Sequence, residues 1–159
     1  SQLNFPFHLT IVGGEEKTSS VTRAGYLNEL KQLTKQLNLE KKVTFVGKKT
    51  QPELKTLYQL ADIFVYPSLY ENFGQPLLEA AAHGLPLIST SVGIARDIII
   101  EGETGYQISG KPEEIKERIE SLRDSNLRLQ MGKRIQNEVK NRFDWGNIMD
   151  QYMNLYRSL

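Results

Sequence analysis

Residues 66 to 90 read YPSLYENFGQPLLEAAAHGLPLIST. An apolar run ends at Tyr66-Pro67-Ser68, a polar loop carrying Glu71 follows, Phe73-Gly74 supplies a turn, and Pro76 sits where a helix starts. Proline is tolerated there because the opening N–H groups of a helix have no intrahelical partner. Leu77, Leu78 and the alanines continue the helix until Gly84 and Pro86 end it, and Pro86 to Thr90 form the next apolar run. The order strand, loop, helix, strand is that of a βαβ unit. Unpartnered N–H groups at the helix start, with the positive end of the helix dipole, suit an anion such as a pyrophosphate. Gly74 lets the backbone come close to it. Glu79, about one turn inside the helix, can accept two hydrogen bonds from the vicinal hydroxyls of a ribose, and Glu71 can do the same for hydroxyls of a sugar.

Working outward, the same alternation covers the first two thirds of the chain. HLTIVG (His8 to Gly13), VTFVG (Val43 to Gly47), IFVYPS (Ile63 to Ser68), PLIST (Pro86 to Thr90) and a weaker GYQIS (Gly105 to Ser109) read as buried strands. Arg23 to Leu37, with Leu27, Leu30, Leu33 and Leu37 at helical spacing, and Pro52 to Leu60 read as helices. This pattern predicts an α/β fold: a Rossmann-like parallel sheet with helices on both faces and right-handed crossovers. Ligands of such sheets bind at the carboxyl ends of the strands, which directs attention to the loops after Val12, Val46, Tyr66 and Thr90. From about residue 111 to 159 the chain turns to charged helix: Pro112 to Leu122, Leu127 to Phe143 and Trp145 to Leu159, with a turn at Asp124-Ser125-Asn126 and Asp144 as an N-cap. Glu15 to Thr22 (EEKTSSVT) reads as a polar, mobile surface loop. Residues 1–159 are expected to form one domain, and its first strand comes so early that a preceding strand and helix are expected to be missing from the sheet.

Composition sets the outer bounds. Of 159 residues 39% are hydrophobic and 25% charged, as in an ordinary soluble globule. Twenty basic against nineteen acidic residues leave a net charge of +1, too little to point to nucleic acid or an anionic membrane. There is no cysteine, so disulfides and thiolate metal sites are excluded and a cytoplasmic address is the simpler expectation. No apolar run approaches the roughly 18 residues of a membrane span, and the first residues lack the basic and long apolar parts of a signal peptide.

PSLYENFGQPLLEAAAHGLPLIST resembles the E-x7-E signature of glycosyltransferase family 4, the glycosyl transferases group 1. The flanks extend the resemblance: VGG at Val12 to Gly14, VTFVGK at Val43 to Lys48, LYQLADIFVYPS at Leu57 to Ser68, GETGYQI at Gly102 to Ile108 and FDW at Phe143 to Trp145. AAAHGLP is especially similar to sucrose-phosphate synthases. The resemblance implies the C-terminal, donor-binding half of a GT-B fold, truncated at its N-terminus, in an enzyme that transfers a hexose from a nucleoside-diphosphate sugar with retention of configuration. It implies that Glu71 and the amides of Phe73, Gly74 and Gln75 contact the sugar and its phosphate, that Leu77 and Leu78 offer amides to the diphosphate, and that Glu79 holds the ribose. Val46, Gly47 and Lys48 would lie against the nucleobase, and Gly13-Gly14 would leave room for the phosphates. Glu71 is the catalytic candidate. Neither metal nor cofactor is implied. The partners implied are the nucleotide sugar and a sugar or glycan acceptor held by an N-terminal domain outside this chain. The full protein would be cytoplasmic or peripheral to the inner face of a membrane, and this chain alone is expected to be inactive.

Three features depart from the family pattern. Asn72 stands where the family has Gly or Pro. Val92-Gly93-Ile94-Ala95-Arg96-Asp97 alters the usual VGG-x-x-E, with Ile94 for the second glycine and Asp97 for the acid. The Arg and Lys that the family places after its first strand are absent, and no catalytic base is nominated. Plainer readings stand beside these. Glu71 and Glu79 read equally as surface carboxylates on spacing alone, Gly13-Gly14 as a tight turn and Lys48-Lys49 as a solvated pair. His83 reads as a cap or core hydrogen bond, His8 as structural, and the stripe of Trp145, Tyr152, Met153 and Tyr156 as core. A nucleotide-sugar-binding or scaffolding module without turnover is the alternative function, and an epimerase a third.

Overall fold

A computed structural model of the chain describes residues 3–14 and 25–158. The loop expected over Glu15 to Thr22 lies outside the described residues, as does the expected start of the first helix at Arg23. The chain divides into two compact units, Ser1–Thr56 and Leu57–Leu159.

In the first unit, β1 (Leu9–Val12) and β2 (Val43–Gly47) pair in parallel around α1 (Tyr26–Gln36). The register runs Leu9 to Val43, Thr10 to Thr44 and Ile11 to Phe45, then slips by one residue so that Val12 faces Gly47. Gly47 takes a left-handed φ of 68°, which admits the slip without a side-chain penalty. His8 is structural, its Nε2 lying 2.9 Å from the Thr44 hydroxyl. The helix α2 (Gln51–Leu60) spans the division between the units. Its start is fixed by Glu53, whose Oε2 accepts from the Thr50 amide at 2.8 Å and the Thr50 hydroxyl at 2.7 Å, the returning half of a capping box.

The second unit contains a three-stranded parallel sheet in the order β3 (Phe64–Tyr66), β4 (Leu87–Thr90), β5 (Gly105–Ile108). The crossovers are α3 (Gln75–Ala82) and α4 (Ala95–Ile98), and α5 (Pro112–Ser121), α6 (Ser125–Phe143) and α7 (Trp145–Arg157) follow. All five expected strands form and all pairs are parallel, but the expected burial fails at β1, where Leu9, Thr10 and Val12 are exposed. Every residue of the central strand β4 is buried, as a parallel strand covered on both faces requires. Ile88, Tyr106, Ile108, Leu122 and Met131 form one core cluster, with Ile115, Ile119 and Leu127 against it. Each fully buried side chain of this size stabilises the fold by about 1.5 to 3 kcal/mol.

The short helix α4 was not legible, since four residues carry no period. Asp124 is the N-cap of α6 rather than part of a turn, accepting from the Asn126 and Leu127 amides. Asp144 caps α7 as expected, accepting from the Gly146 amide at 2.9 Å. A further expectation of burial fails in the last helix: Trp145 is 77% exposed and Tyr156 70%, and α7 buries no residue. Periodicity marks an apolar face, but burial needs an element opposite it, and among the described residues none covers this one.

Candidate functional site

The sequence nominates residues in both units, and within each they gather at the carboxyl ends of strands. In the first unit the Gly13 amide donates to the Gly47 carbonyl at 2.9 Å, joining the exits of β1 and β2. Gly14 lies beside the Lys48 side chain, and a Cβ on it would make an ordinary contact with Lys48 Cγ at 3.5 Å. Gly13, Gly14, Val46, Gly47 and Lys48 therefore form one local cluster.

In the second unit the loop from β3 to α3 carries Glu71, Phe73 and Gly74. Three ties hold it. The Thr90 hydroxyl donates to the Ser68 carbonyl, linking the exits of β4 and β3. The Ile94 amide donates to the Phe73 carbonyl at 2.7 Å. The Tyr66 hydroxyl, at the end of β3, donates to Glu71 Oε2 at 2.6 Å. Glu71 Oε1 accepts in turn from the Asn72 amide at 3.1 Å, and Asn72 is held through its side-chain oxygen by the Tyr70 hydroxyl at 2.8 Å. Ile94 replaces a family glycine without strain because its φ of −66° is ordinary helical backbone.

Gly74 is the N-cap of α3 in left-handed conformation, φ 84°. It is buried, and a Cβ there would lie 3.0 Å from Leu77 Cδ1 and 3.3 Å from Glu71 Cγ, so glycine is needed for space as well as for φ. Pro76 lies in the first turn as expected. The Leu77 amide donates to the Gly74 carbonyl at 2.9 Å. Leu77 itself is fully buried and Leu78 half-buried, so any contact they make with a ligand runs through the backbone or, for Leu78, the edge of its side chain.

Glu79 is half-buried one turn further on. Its Oε2 accepts from the Tyr58 hydroxyl at 3.1 Å and its Oε1 from Gln75 Nε2 at 3.0 Å. His83 closes the helix: its Nδ1 lies 2.8 Å from the Glu79 carbonyl and its ring stacks on Tyr58 with centroids 5.1 Å apart, the structural role its sequence position suggested. Two clefts flank this helix. One of about 560 Å³ is lined by Tyr70, Glu71, Asn72, Phe73, Arg96 and Asp97 among others. The other, about 610 Å³, lies between α3 and the end of α6, lined by Gln75, Leu78, Glu79, Gln136, Lys140 and Phe143 among others.

Burial raises the pKa of both phenols that touch the glutamates, and the neighbouring carboxylates add to this. Tyr66 is pushed up to about 12, and Tyr58 is raised as well. Both hydroxyls therefore stay protonated donors at neutral pH. Neither tyrosine was nominated from sequence. Each looks there like an apolar position of a strand or helix, and the available signal was only that a buried tyrosine hydroxyl needs a partner. Among the described residues no three His, Asp or Glu side chains come together as metal ligands.

Comparison with known proteins gives this geometry a family. Residues 1–138 match the model of "Glycosyl transferases group 1". The chain is 31% identical over 158 residues to the D-inositol 3-phosphate glycosyltransferase of Corynebacterium urealyticum, covering 98% of this chain and 36% of that protein. Its fold superimposes on the sucrose-phosphate synthase of Thermosynechococcus elongatus with a TM-score of 0.81 at 31% identity, covering 95% of this chain and 38% of that one. The Anabaena protein HepE shares the fold with a TM-score of 0.85 at 24% identity, covering 96% of this chain and 41% of that one. The chain thus spans about two fifths or less of the length of these relatives. It belongs to the glycosyl transferases group 1 family and has the Rossmann-like architecture of one part of a GT-B glycosyltransferase.

Proposed function

We propose that this chain binds a nucleoside-diphosphate sugar and presents it for transfer of a hexose with retention of configuration. The observation that carries this is the α3 N-terminus: a left-handed Gly74 cap opening the helix, with one carboxylate, Glu71, before it and another, Glu79, one turn inside. In this reading the amides of Phe73, Gly74, Gln75 and Leu78 receive the phosphates, joined by that of Leu77 when it gives up its bond to the Gly74 carbonyl, Glu71 accepts hydrogen bonds from the sugar, and Glu79 accepts them from the ribose. Preorganised donors at the leaving diphosphate lower the barrier because the charge grows where they already point. No metal or cofactor has a part.

The reading is supported by the family match and by the ordered motif around the two glutamates. HepE, solved in complex with UDP, is a neighbour in fold alone. The test is an amide-resolved NMR titration of the chain with UDP, ADP and GDP. Binding is expected at submillimolar strength or weaker, with shifts concentrated from Phe73 to Glu79. Unmoved signals there at millimolar concentration of all three nucleotides refute the donor site.

A further inference from the structure

We propose that Tyr58 and Tyr66 are positioning residues of the donor site, each presetting one of its two glutamates. The proposal rests on the donor-site reading above and goes beyond it by assigning the carboxylates' orientation to two residues outside the motif.

The geometry is paired. Tyr66, the last residue of β3, reaches across the loop to Glu71 Oε2 at 2.6 Å, and Tyr58, on α2, reaches Glu79 Oε2 at 3.1 Å. Each phenol donates to one oxygen of its carboxylate, and the other oxygen is held from elsewhere: Oε1 of Glu71 by the Asn72 amide and Oε1 of Glu79 by Gln75. A side chain gripped at both oxygens has lost the rotation about its last bond. A carboxylate has about four lone-pair sites, so being gripped is compatible with accepting from ligand hydroxyls as well.

The two phenols also share one support. Tyr58 meets Phe64 edge-on with centroids 5.9 Å apart, Phe64 stacks on Tyr66 at 5.9 Å, and Tyr58 stacks on His83 at 5.1 Å. Four rings from α2, β3 and the end of α3 thus form one row, with the two hydroxyls aimed at the two glutamates. Aromatic side chains have few rotatable bonds, so a row of them holds its polar ends at little cost in conformational entropy. A long flexible carboxylate must lose its freedom on binding a hydroxyl pair unless it has been fixed beforehand, and fixing it beforehand strengthens binding. Because Glu79 faces the ribose and Glu71 the sugar, the two phenols should act on different parts of the ligand.

The experiment compares wild type, Tyr58→Phe and Tyr66→Phe, each removing one hydroxyl and keeping the ring. Affinities are measured for the pairs UDP and UDP-glucose, ADP and ADP-glucose, GDP and GDP-mannose. Tyr58→Phe is expected to weaken nucleotide and nucleotide sugar by the same factor, three- to tenfold. Tyr66→Phe is expected to weaken the nucleotide sugar three- to tenfold more than the nucleotide. A double-mutant cycle guards against a general loss of fold: in a Glu79→Gln background Tyr58→Phe should cost less than twofold, since its partner has lost its charge. Side-chain 13C relaxation of the glutamates, measured without nucleotide, should show Glu79 more mobile in Tyr58→Phe and Glu71 more mobile in Tyr66→Phe. Wild type that binds nucleotide, with both Phe variants unchanged in affinity or glutamate mobility, overturns the positioning roles and leaves the donor site standing. Wild type that binds none of the six ligands overturns the donor site and the positioning roles with it.

Discussion

Glu79 sits half-buried between a phenol and an amide, and exchanging its carboxylate for an amide changes one atom's chemistry while keeping the shape. Glu79→Gln is expected to weaken nucleoside diphosphate binding by about 1 to 2 kcal/mol, because charge-assisted hydrogen bonds to the ribose become neutral and partly mismatched. Calorimetric titration of both proteins checks this, and equal affinity returns Glu79 to the surface-carboxylate reading. Tyr66 makes a statement about pH. Its phenol is raised from 10.0 to about 12 in the fold, first by burial and then by Glu71, so the folded state prefers the neutral hydroxyl. That contribution is whole below pH 10 and disappears as pH rises from 10 towards 12. Urea midpoints measured at pH 9 and 11.5 should fall more for wild type than for Tyr66→Phe, and an equal fall in both contradicts the assignment. The glutamates were singled out in the sequence by the ordered motif around them, not by their spacing alone, because such a motif is a local pattern. The tyrosines were not, because a phenol's partner is chosen by which strand and helix lie beside it.

At the scale of elements, α3, the helix that carries Glu79, packs on α6. Gly84, just past the end of α3, and Gly132, in α6, approach until a Cβ on Gly132 would collide with the Gly84 carbonyl. Gln136 adds a tie one turn later, its Nε2 donating to the Ala82 carbonyl at 2.8 Å. Helix propensity alone favours alanine over glycine at position 132 by about 1 kcal/mol. Overpacking against backbone costs typically 1 to 3 kcal/mol and wins here. Gly132→Ala is therefore expected to lower the melting temperature and to shift the amides of α3, measurable by thermal denaturation and by NMR. A rise in stability would mean that propensity outweighs the clash. The charged helices were visible along the chain, yet nothing in the sequence singles out Gly132. Only the opposing helix gives it a reason.

For the whole molecule, the ratio of lengths matters most: the chain spans 36% of the inositol-phosphate glycosyltransferase and 38% of the sucrose-phosphate synthase. Transfer needs an acceptor held against the donor and water kept out, and the proposed site supplies the donor side. The chain alone is expected to transfer no labelled sugar, while a longer protein containing it does. In that longer protein Glu71→Ala should lower kcat by more than it weakens nucleoside diphosphate binding, because a contact to the sugar speeds the reaction only as far as it strengthens in the transition state. Robust transfer by the chain alone, or a Glu71 variant impaired only in nucleotide affinity, would falsify this division of roles.

The sequence by itself determined the α/β class, the five parallel strands, the turn and helix that carry Glu71 and Glu79, the caps at Asp144 and the family. These rest on period, turn chemistry and residue order, which act over a few residues and so can be read along one line. The tertiary structure decided which hydroxyl holds each glutamate, how Ile94 secures the Phe73 carbonyl, why position 132 is glycine, and that the apolar face of α7 stays exposed. Those outcomes depend on what the fold brings opposite each residue, from pairs 5 residues apart for Tyr66 and Glu71 to 21 for Tyr58 and Glu79. The physical reason is that a side chain's polarity and period set what it needs, whereas the neighbour that meets the need is supplied by packing.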